Sequence, residues 1–286
     1  MTAATPQLHR PTQSAEVAAL LRTGRALNGG TDLLVERRAG RNDPVLVDLT
    51  GLVAAHPAVR RTASTITVSA LHPLTSIAEG LTGELPALAA AIGEFASTTI
   101  RNRATLGGNL ATGSPAADTV PALLAAEATL SIEGPNGPRT MPLADFLLGP
   151  RQVALDPGEW LLDLTMARNA VTGGFRKIGG RRAQSIAILS LAWQWQTGAD
   201  GRLHQVRLAM GAVAPTVVRL RAAEAVLEGQ VPDAAQIAAA LEAVPADISP
   251  IDDLRGSARY RHRCARGLLR EVLEQTRATD SRERDL

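Results

Sequence analysis

Between Thr98 and Ala125 the sequence reads TTIRNRATLGGNLATGSPAADTVPALLA. The stretch holds a Gly-Gly pair, a Pro-flanked polar loop and one acid, Asp118, with no histidine, no cysteine and no run of basic residues. What it offers a partner is bare backbone, approachable with no Cβ in the way. A second glycine pair lies in NGGTD at 28 to 32. By itself a Gly-Gly pair is a turn signal. Clustered bare N–H groups also form a nest for anionic oxygens. A pyrophosphate needs such a place, with close backbone, several donors and no bulky side chain. Two such turns suit the phosphates of one dinucleotide, whereas a single turn suffices for a mononucleotide.

Three regions surround these motifs. In the first, SAEVAALLR (14–22) predicts a short helix with Ser14 as N-cap. RALNGGTDLLVERRAGRNDPVLVDLT predicts strand, glycine turn, helix and strand, with apolar faces from Leu33, Leu34 and PVLVDL. In the second, STITVSALHPL alternates like a strand. TSIAEGL and LPALAAAIGEFAS predict helices, the latter with Leu85, Leu88, Ile92 and Phe95 on one face. A helix follows from Asp118, then a strand, a Gly-Pro turn and the strand GEWLLDLTMAR. The third region begins near Gly173. It predicts two strands joined by GADG, then helices over APTVVRLRAAEAVLEG, DAAQIAAALEAV and SARYRHRCARGLLREVLEQT, and a polar tail, RATDSRERDL, that frays.

Composition narrows the function. With 30 basic and 28 acidic residues the net charge is +2, too small to favour nucleic acid or an anionic membrane. Apolar runs are too short to span a bilayer, and the N-terminus lacks a signal-peptide pattern. The single cysteine, Cys264, excludes an internal disulfide and an iron–sulfur cluster held by cysteines of this chain alone. Its spacing with Leu268, Leu269, Val272 and Leu273 makes it a helix-face residue rather than a nucleophile. These features point to a reducing, cytoplasmic setting. His9, His56, His72, His204 and His262 are scattered singly, which suits structural or surface roles. No dinucleotide fingerprint, Walker loop, zinc-helix or nucleophile-elbow motif is present. Neither a catalytic side chain nor a metal site is expected. The arginine-rich helix at 257–270 has Tyr260 as its one aromatic, so a solvated or subunit-facing surface fits it better than a nucleic-acid groove.

LNGGTDLL followed by TTIRNRATLGGNLATGSPAADTVPALLA resembles the flavin-binding medium subunit of the molybdenum hydroxylases, the xanthine dehydrogenase and aerobic carbon monoxide dehydrogenase family. FRKIGGRRAQSIAILSLA and MGAVAPTVVRL extend the resemblance over nearly the whole chain. It implies an α+β fold: a two-part N-terminal FAD-binding domain of the vanillyl-alcohol-oxidase/PCMH type at 1–172, with subdomains at about 1–55 and 60–172. A C-terminal domain of antiparallel sheet and helical bundle would occupy 173–280, leaving a tail at 281–286.

The resemblance also implies a site. Ala26, Leu27, Asn28, Gly29, Gly30, Thr31, Asp32 and Leu33 form the first cofactor turn. Thr105, Gly107, Gly108 and Asn109 form the second. Asp118, which also stands where an N-cap would start the next helix, matches an acid that contacts the cofactor. Phe95 and Leu161 match positions lining the flavin, and Lys177 matches a basic residue near the ring. FAD would be bound non-covalently, since neither motif contains His or Cys. Its implied role is electron transfer from 2Fe-2S clusters to an acceptor such as NAD or oxygen.

The partners would be a small 2Fe-2S subunit and a large molybdopterin subunit, doubled into a dimer of heterotrimers. The arginine-rich helix and Arg181–Arg182 are candidate contact surfaces. The cysteine-bearing insert that binds a 4Fe-4S cluster in some relatives is missing. Two competing expectations are a stand-alone FAD oxidase of the vanillyl-alcohol type, for which 286 residues leave little room for a substrate cap, and a flavin-free assembly protein.

Overall fold

The computed structural model describes residues 5–181 and 184–284. In chain order the elements are β1 (Gln7–His9), α1 (Ser14–Leu20), β2 (Arg25–Leu27), α2 (Leu33–Arg38), β3 (Val45–Asp48), β4 (Val59–Arg61), β5 (Thr65–Ser69) and α3 (Leu74–Gly80). Four helices follow: α4 (Pro86–Glu94), α5 (Thr98–Arg101), α6 (Leu106–Ala111) and α7 (Thr119–Ala125). Then come β6 (Thr129–Glu133), β7 (Arg139–Pro142), α8 (Leu143–Phe146), β8 (Leu147–Gly149), β9 (Gln152–Val153) and β10 (Trp160–Ala167). The chain closes with β11 (Thr172–Gly179), β12 (Ala187–Thr197), β13 (Leu203–Gly211), β14 (Val218–Arg219), α9 (Arg221–Leu227), α10 (Ala234–Ala243) and α11 (Ala258–Arg284).

These elements form two compact units that interleave in sequence. The first takes residues 1–82, 96–114 and 127–168. It contains a three-stranded parallel sheet in the order β1-β3-β2 and a five-stranded antiparallel sheet in the order β4-β5-β10-β6-β7. β2, α2 and β3 are the expected strand–helix–strand unit. Leu33 is buried in it while Leu34 is exposed. β1, missed in the sequence because only three residues pair, lies on the other side of β3. Ser14 is not the N-cap of α1: Gln13 holds that position in extended geometry, and no side chain caps the helix.

The second unit takes residues 83–95, 115–126 and 169–286. Its antiparallel sheet runs β11-β12-β13-β14. Leu189, Leu191, Trp193 and Trp195 pack with α9, α10 and α11 in one apolar core. On β12 the residues alternating with these include Ser190 and Ala192, which pair with Lys177 and Phe175 of β11. That face is covered by α4 and α7. Both helices fall in the span expected to belong to the first domain. All seven residues of α7 are buried, so it needs neighbours on every side and finds them in β12, β13 and α4.

Burial on both faces is why β12 reads as the near-continuous apolar run AILSLAWQW rather than alternating. Cys264 is half-buried and packs against this core from α11. The polar tail, expected to fray, continues α11 to Arg284. Among the described residues, no helix is long and apolar enough to cross a membrane.

Candidate functional site

In the first unit the two glycine segments touch. A Cβ placed on Gly29 would lie 2.1 Å from Arg103 O, so only glycine allows the NGGTD turn to press against the strand of chain before α6. Gly30 has φ +73°, a left-handed conformation that disfavours any Cβ. A common ledge after β5 holds both segments. Asn28 Nδ2 donates to Leu71 O at 2.9 Å, and Gly107 N donates to Ala70 O at 2.9 Å. A Cβ on Gly107 would come within 2.8 Å of that same Ala70 oxygen. Thr112 ties the segments at the far end, its hydroxyl lying 2.8 Å from Gly108 O and 3.2 Å from Asp32 Oδ2.

The second glycine pair departs from the expected nest. It forms the first turn of α6, with Thr105 as N-cap. Gly108 N donates to Thr105 Oγ1 at 3.1 Å and Asn109 N to Thr105 O at 3.0 Å, so the amides of Gly107, Gly108 and Asn109 are engaged within the chain. A threonine followed by an apolar, glycine-rich segment is a capping signal, and the helix overrides the turn. In the NGGTD turn the situation is reversed. Among the described residues, the amides of Gly29, Gly30, Thr31 and Asp32 take no acceptor within the chain.

Gly108 differs from Gly29 and Gly107. It is exposed, and a Cβ there would meet only Thr105 Oγ1, at 3.2 Å. Packing of the chain itself therefore gives little reason for glycine at 108, whereas it demands glycine at 29. Leu161 is buried on β10, beside the bulge between Leu161 and Asp163. Ala26 and Leu27 lie on β2, and Leu33 opens α2.

The second unit holds the remaining candidates. Asp118 sits just before α7 but does not cap it: its backbone is helical and its carboxylate turns to Lys177. Lys177 Nζ donates to Asp118 Oδ2 at 2.8 Å and to Glu94 O at 2.7 Å. Phe95 follows Glu94 as the extended residue that ends α4, outside the helical face expected for it. Burial raises the Asp118 carboxyl above the ordinary carboxylate range, against the opposing pull of Lys177 and with a smaller push from Glu94. Its Oδ1 is buried without a partner, as is the hydroxyl of Ser190, the residue opposite Lys177 in the sheet. Ser190 carried no sequence signal, because its relation to Lys177 depends on strand register. Arg182 lies outside the described residues, and Arg181 bonds to Gln184 O.

Each unit offers groups that a ligand could engage. The first unit offers unengaged amides in a glycine turn and a glycine whose open side the chain leaves unfilled. The second offers a buried acceptor with no internal donor.

Comparison with known proteins agrees. Residues 4–166 match the family described as the FAD binding domain in molybdopterin dehydrogenase. Residues 175–276 match the CO dehydrogenase flavoprotein C-terminal domain. The xanthine dehydrogenase FAD-binding subunit of Escherichia coli O157:H7 is 30% identical over 87% of this chain and 87% of its own length. The carbon monoxide dehydrogenase medium chain of Hydrogenophaga pseudoflava is 28% identical over 93% of this chain and 95% of its own. A solved structure of carbon monoxide dehydrogenase from Hydrogenophaga pseudoflava superposes with a TM-score of 0.90 at 28% identity, covering 97% of this chain and 99% of that one.

Proposed function

The chain belongs to the family of FAD-binding domains of molybdopterin dehydrogenases, and on that premise we propose that it is the FAD-carrying electron-transfer subunit of a multi-subunit molybdenum hydroxylase. Gly108 carries the reading: exposed, helical and unfilled from within, it makes sense as glycine once a ligand lies against it. The xanthine and carbon monoxide dehydrogenase relatives are oxidoreductases and subunits by name.

Ala26 to Leu33 bind one side of the cofactor, with the free amides of Gly29 to Asp32 donating to pyrophosphate oxygens. Gly108 gives a close, Cβ-free surface rather than a donor, in a helical turn that Thr105, Gly107 and Asn109 shape around it. Leu161 of the first unit, and Phe95, Asp118 and Lys177 of the second, are the other cofactor residues in this reading. Asp118 Oδ1 accepts from a donor on the cofactor, and Lys177 holds the other carboxylate oxygen so that the group keeps one orientation. Bound FAD supplies the redox chemistry, which carries electrons from iron–sulfur clusters toward an acceptor such as NAD or oxygen.

The partners in this reading are a small 2Fe-2S subunit and a large molybdopterin subunit in a cytoplasmic dimer of heterotrimers. A sequence boundary near residue 172 belongs to the same reading, supported by separate family matches over 4–166 and 175–276. FAD is held non-covalently. Purified protein should show flavin absorbance, and acid precipitation should release the flavin into the supernatant. Protein that stays colourless with excess FAD overturns the reading; flavin retained in the pellet overturns non-covalent attachment.

A further inference from the structure

The loop at 249–257, SPIDDLRGS, leads into α11. It is tied down from inside. Asp253 Oδ1 accepts from the amides of Arg255 at 2.8 Å and Gly256 at 3.1 Å, and from Arg261 Nη2 at 2.7 Å. Asp252 Oδ1 takes the amide of Ala258, and Ser257 Oγ takes that of Tyr260, so both secure the start of α11. Arg261 is buried and anchors the loop to the sheet through Ile188 O and Ala212 O. Gly256 rests against Ile188 and Tyr260.

From this fixed frame two large apolar side chains stand in solvent. Leu254 is fully exposed and Ile251 is 70% exposed, the highest values among the described large hydrophobics. Ile186, two residues before the Ile188 that supports Gly256, is also exposed. Scattered exposed leucines are ordinary. A pair on a loop held by its own bonds is different, because docking then orders two side chains but little backbone. The bonds of Asp253, Asp252 and Ser257 fix the loop without using the Leu254 or Ile251 side chain.

Charge narrows the occupant. Arg255 adjoins Leu254 but pairs with Asp253, so the exposed positive charge of the patch is carried by Arg259 and Arg263, one helical turn apart. We propose that this loop docks into a partner protein subunit whose surface presents an apolar pocket rimmed by carboxylates. A second copy of the chain presents the same arginines, so a two-fold contact here sets like charges against each other. The proposal rests on the reading of the chain as one subunit of a complex.

Co-expression with the iron–sulfur and molybdopterin subunits tests it, through the dissociation constant of the flavoprotein from the assembled complex. Leu254→Ser and the double variant Arg259→Glu/Arg263→Glu should each weaken assembly by about tenfold or more, the range of a significant interface residue. The arginine variant should also show a shallower salt dependence. Flavin content and melting temperature of the whole chain alone should not change. Unaltered assembly of the variants overturns the docking surface and leaves the subunit reading intact. Failure of the wild-type chain to assemble overturns both. Self-association that depends on Leu254 replaces the acidic partner with a second copy. Leu254-dependent binding to phosphatidylcholine–phosphatidylserine vesicles replaces it with a membrane. Each of these two results overturns the proposal.

Discussion

Lys177 Nζ lies 2.8 Å from Asp118 Oδ2, joining the lysine of β11 to the acid that precedes α7 across 59 positions of sequence. Their side chains are 5% and 10% exposed. Removing one member of such a pair leaves the other buried without its counter-charge. Lys177→Met should therefore destabilise the FAD-free chain by about 3–5 kcal/mol. The double variant Lys177→Met/Asp118→Asn should lose less than the sum of the single losses, because the residues are in contact. Urea unfolding measures both. A single-variant loss below about 1 kcal/mol would mean that the pair is solvated like a surface bridge.

Asp118 also predicts a pH dependence. Its folded-state carboxyl is raised, chiefly by burial, above its ordinary value of 3.8. The folded chain thus prefers the protonated form relative to the unfolded chain. The stabilising contribution is fully present below the unfolded value and is lost as pH rises through the raised, folded one. Asp118→Asn cannot ionise. The stability of wild type minus that of Asp118→Asn, followed by urea unfolding from pH 3 upward, should fall over that window; a flat or rising difference would contradict the shift.

The glycines separate folding from binding. Gly29→Ala should disrupt the first unit, because its Cβ would meet Arg103 O at 2.1 Å. Gly108→Ala meets only the Thr105 hydroxyl, at 3.2 Å, which must give by a few tenths of an ångström. Removing a helical glycine offsets that strain, since alanine is favoured in a helix by roughly 0.5–1 kcal/mol. Gly108→Ala should keep its circular dichroism and its stability within about 1 kcal/mol while flavin titration shows weakened FAD binding. Full FAD affinity in Gly108→Ala would remove the open side of Gly108 from the cofactor site.

How far the sequence reaches differs between these residues. The NGGTD turn and the strand–helix–strand around it were legible because turn chemistry and strand pattern are local. The LGGN pair misled, since local glycine content favoured a turn while the Thr105 cap and the Ala70 carbonyl favoured a helix. The pairing of Asp118 with Lys177 was not legible. The local position of Asp118 suggested a cap, and a buried cation elsewhere in the chain won the carboxylate. The placement of α4 and α7 in the second unit was not legible either. Their apolar faces show that they are covered but not by which sheet.

Thr105 joins the cap of α6 to the proposed cofactor surface. It is buried, holds the N-cap of α6 in extended geometry, and pairs through its backbone with Pro73. Its hydroxyl accepts from Gly108 N at 3.1 Å. Thr105→Val keeps the branched shape and the extended backbone but removes the acceptor. Gly108 is exposed, so water can take its amide and the loss should stay near the usual capping value of about 1 kcal/mol. FAD affinity should fall as well, because the first turn of α6 sets the position of Gly107 and Gly108. Thr105→Ser restores the acceptor and should recover FAD affinity. Thermal unfolding without FAD and flavin titration with it give the two readouts. If Val and Ser weaken FAD binding equally, the lost methyl packing or shape matters rather than the cap, and the hydroxyl has no part in shaping the cofactor surface.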